Sequence, residues 1–269
     1  MTNYKILFLS LIISTTSFAA SNKQQMTTRL KSTAGVGIGS LLLDEASILN
    51  PAPLAFFKIG ALYYQQTKSS FNETTEKNSL IIASDAKGAV GGSISYHQTD
   101  EGKLISVSLA RPAGERSALG LTYHYDKNND GENSQYITVG ISHAVSESFT
   151  LGFVADDLTN EFKNLSKIKI GGQYMYADFI GLMADFGTGW RDDPASKLTY
   201  GAAIQFKLFS DLYLRMGINR NKINDTKTSG IGVSWVSPRL VFNLALSREK
   251  LLADNSEVKD TAFSVSYKF

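Results

Sequence analysis

The chain has 269 residues, a net charge of +2 and no cysteine; 43% of it is hydrophobic, 11% aromatic and 19% charged. The near-neutral balance gives no basic field for nucleic acid, so no nucleic-acid partner is expected. Without cysteine there are no disulfides, no thiolate metal sites and no lipidated amino-terminal cysteine.

Residues 1–20 have the form of a signal peptide. Lys5 supplies the basic start, 6–13 is a short apolar run, and Ser17-Phe18-Ala19-Ala20 offers small residues for cleavage after Ala19 or Ala20. The run is too short for a spanning helix, which needs about 20 residues. A membrane location therefore requires strands.

Residues 21–57 are rich in small residues, then apolar, with Pro51 and Pro53 near the end. We read them as a separate segment that enters a barrel formed by 58–269. A slim plug suits Gly and Ala. Asn50 carries donor and acceptor groups for barrel partners, and Pro51 lacks an N–H, which suits a non-strand segment. The other reading is a disordered leader, but Leu41, Leu42, Leu43, Ile48, Leu49, Phe56 and Phe57 need burial.

From Lys58 onward the chain alternates apolar with small or polar residues in segments near 58–67, 78–84, 88–97, 103–111, 117–125, 134–143, 149–156, 166–176, 178–187, 197–207, 211–220, 227–237, 239–248 and 258–269. Period-two alternation is the half-buried strand signal. In the last segment Phe263, Val265, Tyr267 and Phe269 share one face, with Ala262, Ser264, Ser266 and Lys268 on the other. The pattern predicts about fourteen strands, with about twelve as the lower count. Polar connectors at 68–77, 98–102, 126–133, 157–165, 188–196, 221–226 and 249–257 alternate with short turns such as Ser237-Pro238-Arg239.

The fold class is thus all-β: a transmembrane antiparallel up-and-down β-barrel with an N-terminal plug segment, in the outer membrane of a Gram-negative bacterium, both barrel termini periplasmic. A soluble sandwich also alternates, but its second face must meet water. Here that face is mostly Gly, Ser, Ala and Thr. Outer-membrane lipid is the expected partner of the apolar face. The opposite face supplies lumen-lining candidates: Lys167, Lys169, Gln173, Asp185, Gln205, Lys207, Tyr213, Arg215 and Asn243. They either line a polar route or form bonds that pack the lumen and hold the plug. Gly91-Gly92 and Gly171-Gly172 are candidate bulges or kinks.

The end of the chain, with Phe263, Val265, Tyr267 and Phe269, resembles the carboxy-terminal strand signal of outer-membrane barrels. That resemblance implies the barrel-assembly machinery as a partner, by strand addition. The plug segment carries Gly35, Gly37 and Gly39, then Asp44-Glu45-Ala46-Ser47, then Asn50-Pro51-Ala52. It resembles the start of the FadL-type family of outer-membrane transporters for long-chain fatty acids and other hydrophobic compounds. The resemblance implies a fourteen-stranded plugged barrel that takes up a fatty acid or another hydrophobic small molecule passively. Pro53 stands where the family commonly has Gly, and the connectors are short for a helical entrance groove.

Other motifs carry less. Gly35-Val36-Gly37-Ile38-Gly39 lacks the third glycine of a dinucleotide fingerprint at its spacing. Asp126 to Gly131 matches half of a calcium loop, but Ile137 stands where its last ligand should be. His97, His124 and His143 have no zinc spacing. His143 lies beside Ser142 and Ser146, and Asp156-Asp157 and Asp192-Asp193 are expected to be solvated loop carboxylates. No enzyme activity, cofactor or metal is expected. The alternative functions are a structural or adhesive barrel and a small polar porin.

Overall fold

A computed structural model describes residues 25–71, 74–129, 131, 133–159, 161, 167–189 and 197–269. The signal-peptide segment and Asp192-Asp193 lie outside the described residues. Fourteen strands follow in order: β1 Gly60–Phe71, β2 Thr74–Asp85, β3 Gly91–Gln98, β4 Gly102–Pro112, β5 Ser117–Asn128, β6 Asn133–Ala144 and β7 Phe149–Ala155. They continue as β8 Ile168–Tyr176, β9 Ile180–Thr188, β10 Thr199–Lys207, β11 Leu212–Asn221, β12 Thr226–Val236, β13 Leu240–Leu251 and β14 Glu257–Lys268. Each strand pairs antiparallel with the next, and β14 closes on β1, from Ala61 opposite Lys268 to Phe71 opposite Val258. Closure leaves no unpaired sheet edge, which hydrocarbon would not tolerate.

Alternation sets the two faces. Leu62 and Tyr64 of β1, Leu119 and Leu121 of β5, Leu244 and Leu246 of β13 and Phe263 of β14 are exposed on the outside. Their neighbours Gln65, Ala118, Thr122, Ala245, Ala262 and Ser264 are buried inside. A water-soluble protein would not present so continuous an apolar exterior.

Two expectations need correction. Residues 68–71 and 74–77 are strand rather than loop. β1 and β2 stay paired to Phe71 opposite Thr74, with Lys68 opposite Lys77 on the way. The strands flanking 126–133, 221–226 and 249–257 are extended in the same manner. Once strands leave an apolar layer, side chains can be polar on both faces while the backbone ladder persists, so the alternation that marks a strand fades before the strand ends. The double glycines are not bulges either: Gly91 and Gly92 pair in continuous register with Ala110 and Leu109, and Gly171 and Gly172 with Gly152 and Leu151.

The lumen is filled by the described part of the N-terminal segment. Leu30, Ile38 and Leu49 pack on Val154 of β7, and Ile48 packs on an inward cluster of Tyr63, Leu80 and Ile82. The inner face is therefore not uniformly polar. Its apolar members stand where the plug presents its own, and a fully buried Leu or Ile contributes about 1.5–3 kcal/mol over an exposed one.

Candidate functional site: the plugged lumen

Local chemistry shapes the plug. A short helix α1, Thr28–Ser32, is capped by the Thr27 hydroxyl, which accepts from the Leu30 N–H. The Gly35 N–H returns to the Leu30 carbonyl at 2.7 Å with Gly35 at φ +82°, a left-handed helix ending that glycine adopts without strain. Later, Pro51 leads into a 3-10 helix, Ala52–Phe56. Pro53 sits in its first turn, where no intrahelical N–H is needed.

Barrel side chains hold this segment at several points. Asp185 of β9 accepts from the Gly37 N–H at 2.6 Å and the Ile38 N–H at 3.1 Å. Thr150 of β7 donates to the Gly39 carbonyl at 2.5 Å. The Asn50 amide donates to the Ile38 carbonyl, the Ile141 carbonyl and the Ser142 hydroxyl at 3.1–3.3 Å, while its oxygen accepts from the Ala52 N–H. Tyr63 and Gln65 of β1 receive Thr28, and Gln65 donates to the Met26 carbonyl. Lys31 forms an ion pair with Asp260 of β14.

Asp44 accepts from the Ser266 hydroxyl at 3.3 Å. Burial, and then the neighbouring Glu45 charge, push its carboxyl up to about 6. Glu45 itself holds Thr27 and Arg29 within the plug.

Inward-facing glycines form the seat. A Cβ at Gly120 would come 2.6 Å from Pro51 and Ala52, one at Gly201 2.5 Å from Val36, and one at Gly232 2.6 Å from Ser32. Gly140 meets Asn50 and Pro51, Gly152 and Gly171 meet Ile38, and Gly217 meets Thr33 in the same way. Around much of the circumference the wall therefore lacks side chains where the plug lies against it. Gly39 of the plug reciprocates, its own Cβ position being 2.7 Å from the Gly172 Cα.

The remaining lumen candidates bond mainly to other barrel side chains and not to the plug. Arg215 donates to Gln205 and Ser234, and Asn243 joins Ser234 to Ser264. Lys207 lies 6.0 Å from the ring of Tyr213, with Arg215 5.8 Å from the same ring. Gln173 turns into the lumen with its buried Oε1 lacking a hydrogen-bond partner among the described residues. Asp156 and Asp157 are not solvated: they pair with Lys169 and Lys167, and Asp157 is fully buried. The lysines recur on the inner row, and burying a carboxylate beside them is cheaper than leaving either charge alone.

A second polar row links Ser106, His124, Thr138, Asp156 and Lys169 across β4 to β8. Thr138 gives its proton to Asp156, so His124 Nε2 carries hydrogen and Nδ1 accepts from Ser106. The Ser–His contact is close to that of a hydrolase, but Ser106 is fully buried with no face open to substrate. Ser142 turns inward to Asn50, while His143 faces out to Ser117, so the two do not cooperate. No metal-binding cluster occurs among the described residues.

Sequence reasoning missed Thr150, Tyr63, Gln65, Asp260 and the glycine seat. Its one usable signal was glycine recurring on inward positions of successive strands. At the end of the chain Phe263, Tyr267 and Phe269 face outward with Val265 half-buried, and the Phe269 backbone closes a two-bond pair with Gly60 at 3.0 Å.

No family model matches the chain, and no curated protein matches it. Solved structures do. The CymD monoaromatic hydrocarbon channel is 12% identical with a TM-score of 0.70, covering 92% of this chain and 98% of that one. The Ralstonia pickettii toluene transporter TbuX is 11% identical at 0.66, with the same coverage. A Pseudomonas aeruginosa FadL homologue is 12% identical at 0.56, covering 91% and 98%. At these identities the likeness is one of fold: a closed fourteen-stranded barrel.

Proposed function

We propose that this chain is an outer-membrane channel for passive uptake of hydrophobic small molecules, a short-looped relative of the FadL type. The observation that carries the proposal is the N-terminal segment seated inside a closed barrel on a track of glycines and a few polar anchors. That seat fits a segment that can shift: at Gly120, Gly152 and Gly217 plug backbone lies against glycine, and such contacts reform after a small slide. The named activity of the structural neighbours, monoaromatic hydrocarbon and toluene passage, supports the same substrate class. In this reading residues 1–20 are removed as a signal peptide, 21–57 act as the plug, both barrel termini face the periplasm, and the last strand is read by the assembly machinery.

The inner polar rows are committed to one another, which disfavours an open polar porin. The test is reconstitution into liposomes, to which an apolar reporter is then added from outside. Uptake of toluene or a fatty acid well above empty liposomes, with little ion conductance, is expected. Free ion conduction without apolar uptake would contradict it.

A further inference from the structure

The outer surface carries a feature that apolar transport does not use. Three pairs of cations stand directly opposite one another across neighbouring strands: Lys68 and Lys77, Arg248 and Lys259, and Lys227 and Lys250. Strand parity puts all of them on the outside, in line with Tyr64, Leu246, Phe263 and Ile231, and at the end of the barrel away from Gly60 and Lys268. Like charges directly opposite each other destabilise a sheet pair. A single exposed lysine is unremarkable, but three facing pairs along one sector require a compensating charge.

The protein supplies little of it. Glu257 bonds Arg248, lies 3.9 Å from Lys259 and stands opposite Lys250, while among the described residues Lys68, Lys77 and Lys227 have no carboxylate ion pair. The opposite rim differs: Arg111 faces Leu119, and Asp85 faces Gly60 and Gly92.

We propose that this cationic sector of β12, β13, β14, β1 and β2 binds the phosphate-bearing headgroup of an outer-leaflet glycolipid. Height, shape and chemistry agree. Arg248 follows the exposed Leu246 by two residues and Lys68 follows Tyr64 by four, or roughly 7 and 14 Å along a strand, which brings their charged ends to headgroup level. A shallow concavity of about 460 Å³ opens there, lined by Lys68 and Lys77 with the neutral polar Gln66, Ser79 and Thr261. Two ammonium groups and these polar side chains match the acceptor oxygens of a phosphate. Asp100 also lines the concavity, from the connector between β3 and β4. Phe263 borders it from the apolar side, so the occupant has a phosphate above and hydrocarbon below. A free phosphate ion would not use that aromatic border; a lipid would.

This inference rests on the outer-membrane reading, with the strand ends at Phe71 and Thr74 on the outer leaflet. The test uses the full-length mature protein in mild detergent, given either diphosphorylated lipid A or fully dephosphorylated lipid A, with bound lipid counted by native mass spectrometry. The wild type retains the phosphorylated form about tenfold better, and Lys68→Gln combined with Lys77→Gln reduces that preference roughly fivefold, while Lys68→Arg with Lys77→Arg keeps it. Resistance of the unboiled barrel to denaturing detergent reports that each variant is folded. Equal retention of the two lipids, no effect of the glutamine variant, or complete displacement by millimolar inorganic phosphate would each overturn the proposal. Apolar uptake in liposomes is measured alongside. A wild type that shows no lipid preference while its uptake is intact sinks this inference alone, and a wild type that fails to insert into membranes sinks the outer-membrane reading first.

Discussion

A carboxylate that accepts two backbone N–H groups is a strong but reversible latch, because its bonds are charge-assisted yet not tied to one side-chain shape. Asp185 does this for Gly37 and Ile38, across 148 and 147 residues of sequence. Asp185→Asn keeps the size and removes the charge, which should weaken the latch by about 1.5–3 kcal/mol. The chain has no native cysteine, so Ile38→Cys gives a single labelling site. Maleimide labelling of that cysteine should speed up about tenfold or more when Asp185→Asn is added. An unchanged rate would show that Asp185 does not hold the plug. At this scale, chemistry was legible and partnership was not. Asn50 combines donor and acceptor on one side chain and uses both. Nothing in the sequence near Gly37, however, points to a carboxylate on the ninth strand.

Strand number was legible because every strand crosses one apolar layer, and each crossing writes the same alternation. Strand length was not, since Lys68 and Lys77 pair beyond that layer without an apolar partner to mark the face. The inward glycines were visible as a pattern without a cause. Their cause is the plug backbone, which takes the space a Cβ would fill at Gly120, Gly152 and Gly217. Gly217→Val therefore should unseat the segment around Thr33 while leaving the β10–β11–β12 pairing in place, since Val is a good strand residue. Single-channel recordings should show conductance well above the wild type, from a barrel that still resists detergent before boiling. A variant as tightly closed as the wild type would mean that the plug tolerates the added bulk and that the glycine seat is not required.

Over the whole molecule, two demands meet. Lipid outside requires a closed sheet with apolar residues outward, and fourteen paired strands meet it. The space so enclosed is filled by the chain's own N-terminal segment, which joins β1 through only Phe57, Lys58 and Ile59. That short tether keeps the plug near its seat and limits it to local movement. Closure and the outward band could be argued from alternation alone. Lumen occupancy could not, because its contacts join residues far apart in sequence and depend on which small residue meets which backbone.

The most direct measurement is to lock the plug and ask whether passage stops. Asp44 and Ser266 touch at 3.3 Å, one on the plug and one on β14. Replacing both with cysteine and joining them through a short thiol cross-linker tethers the plug to the wall without blocking the barrel mouth. Uptake of an apolar reporter into liposomes should fall to the background of empty liposomes when the linker is closed, and return when a reducible linker is cleaved. Uptake that continues unchanged with the tether in place would contradict a plug that must move for the channel to work.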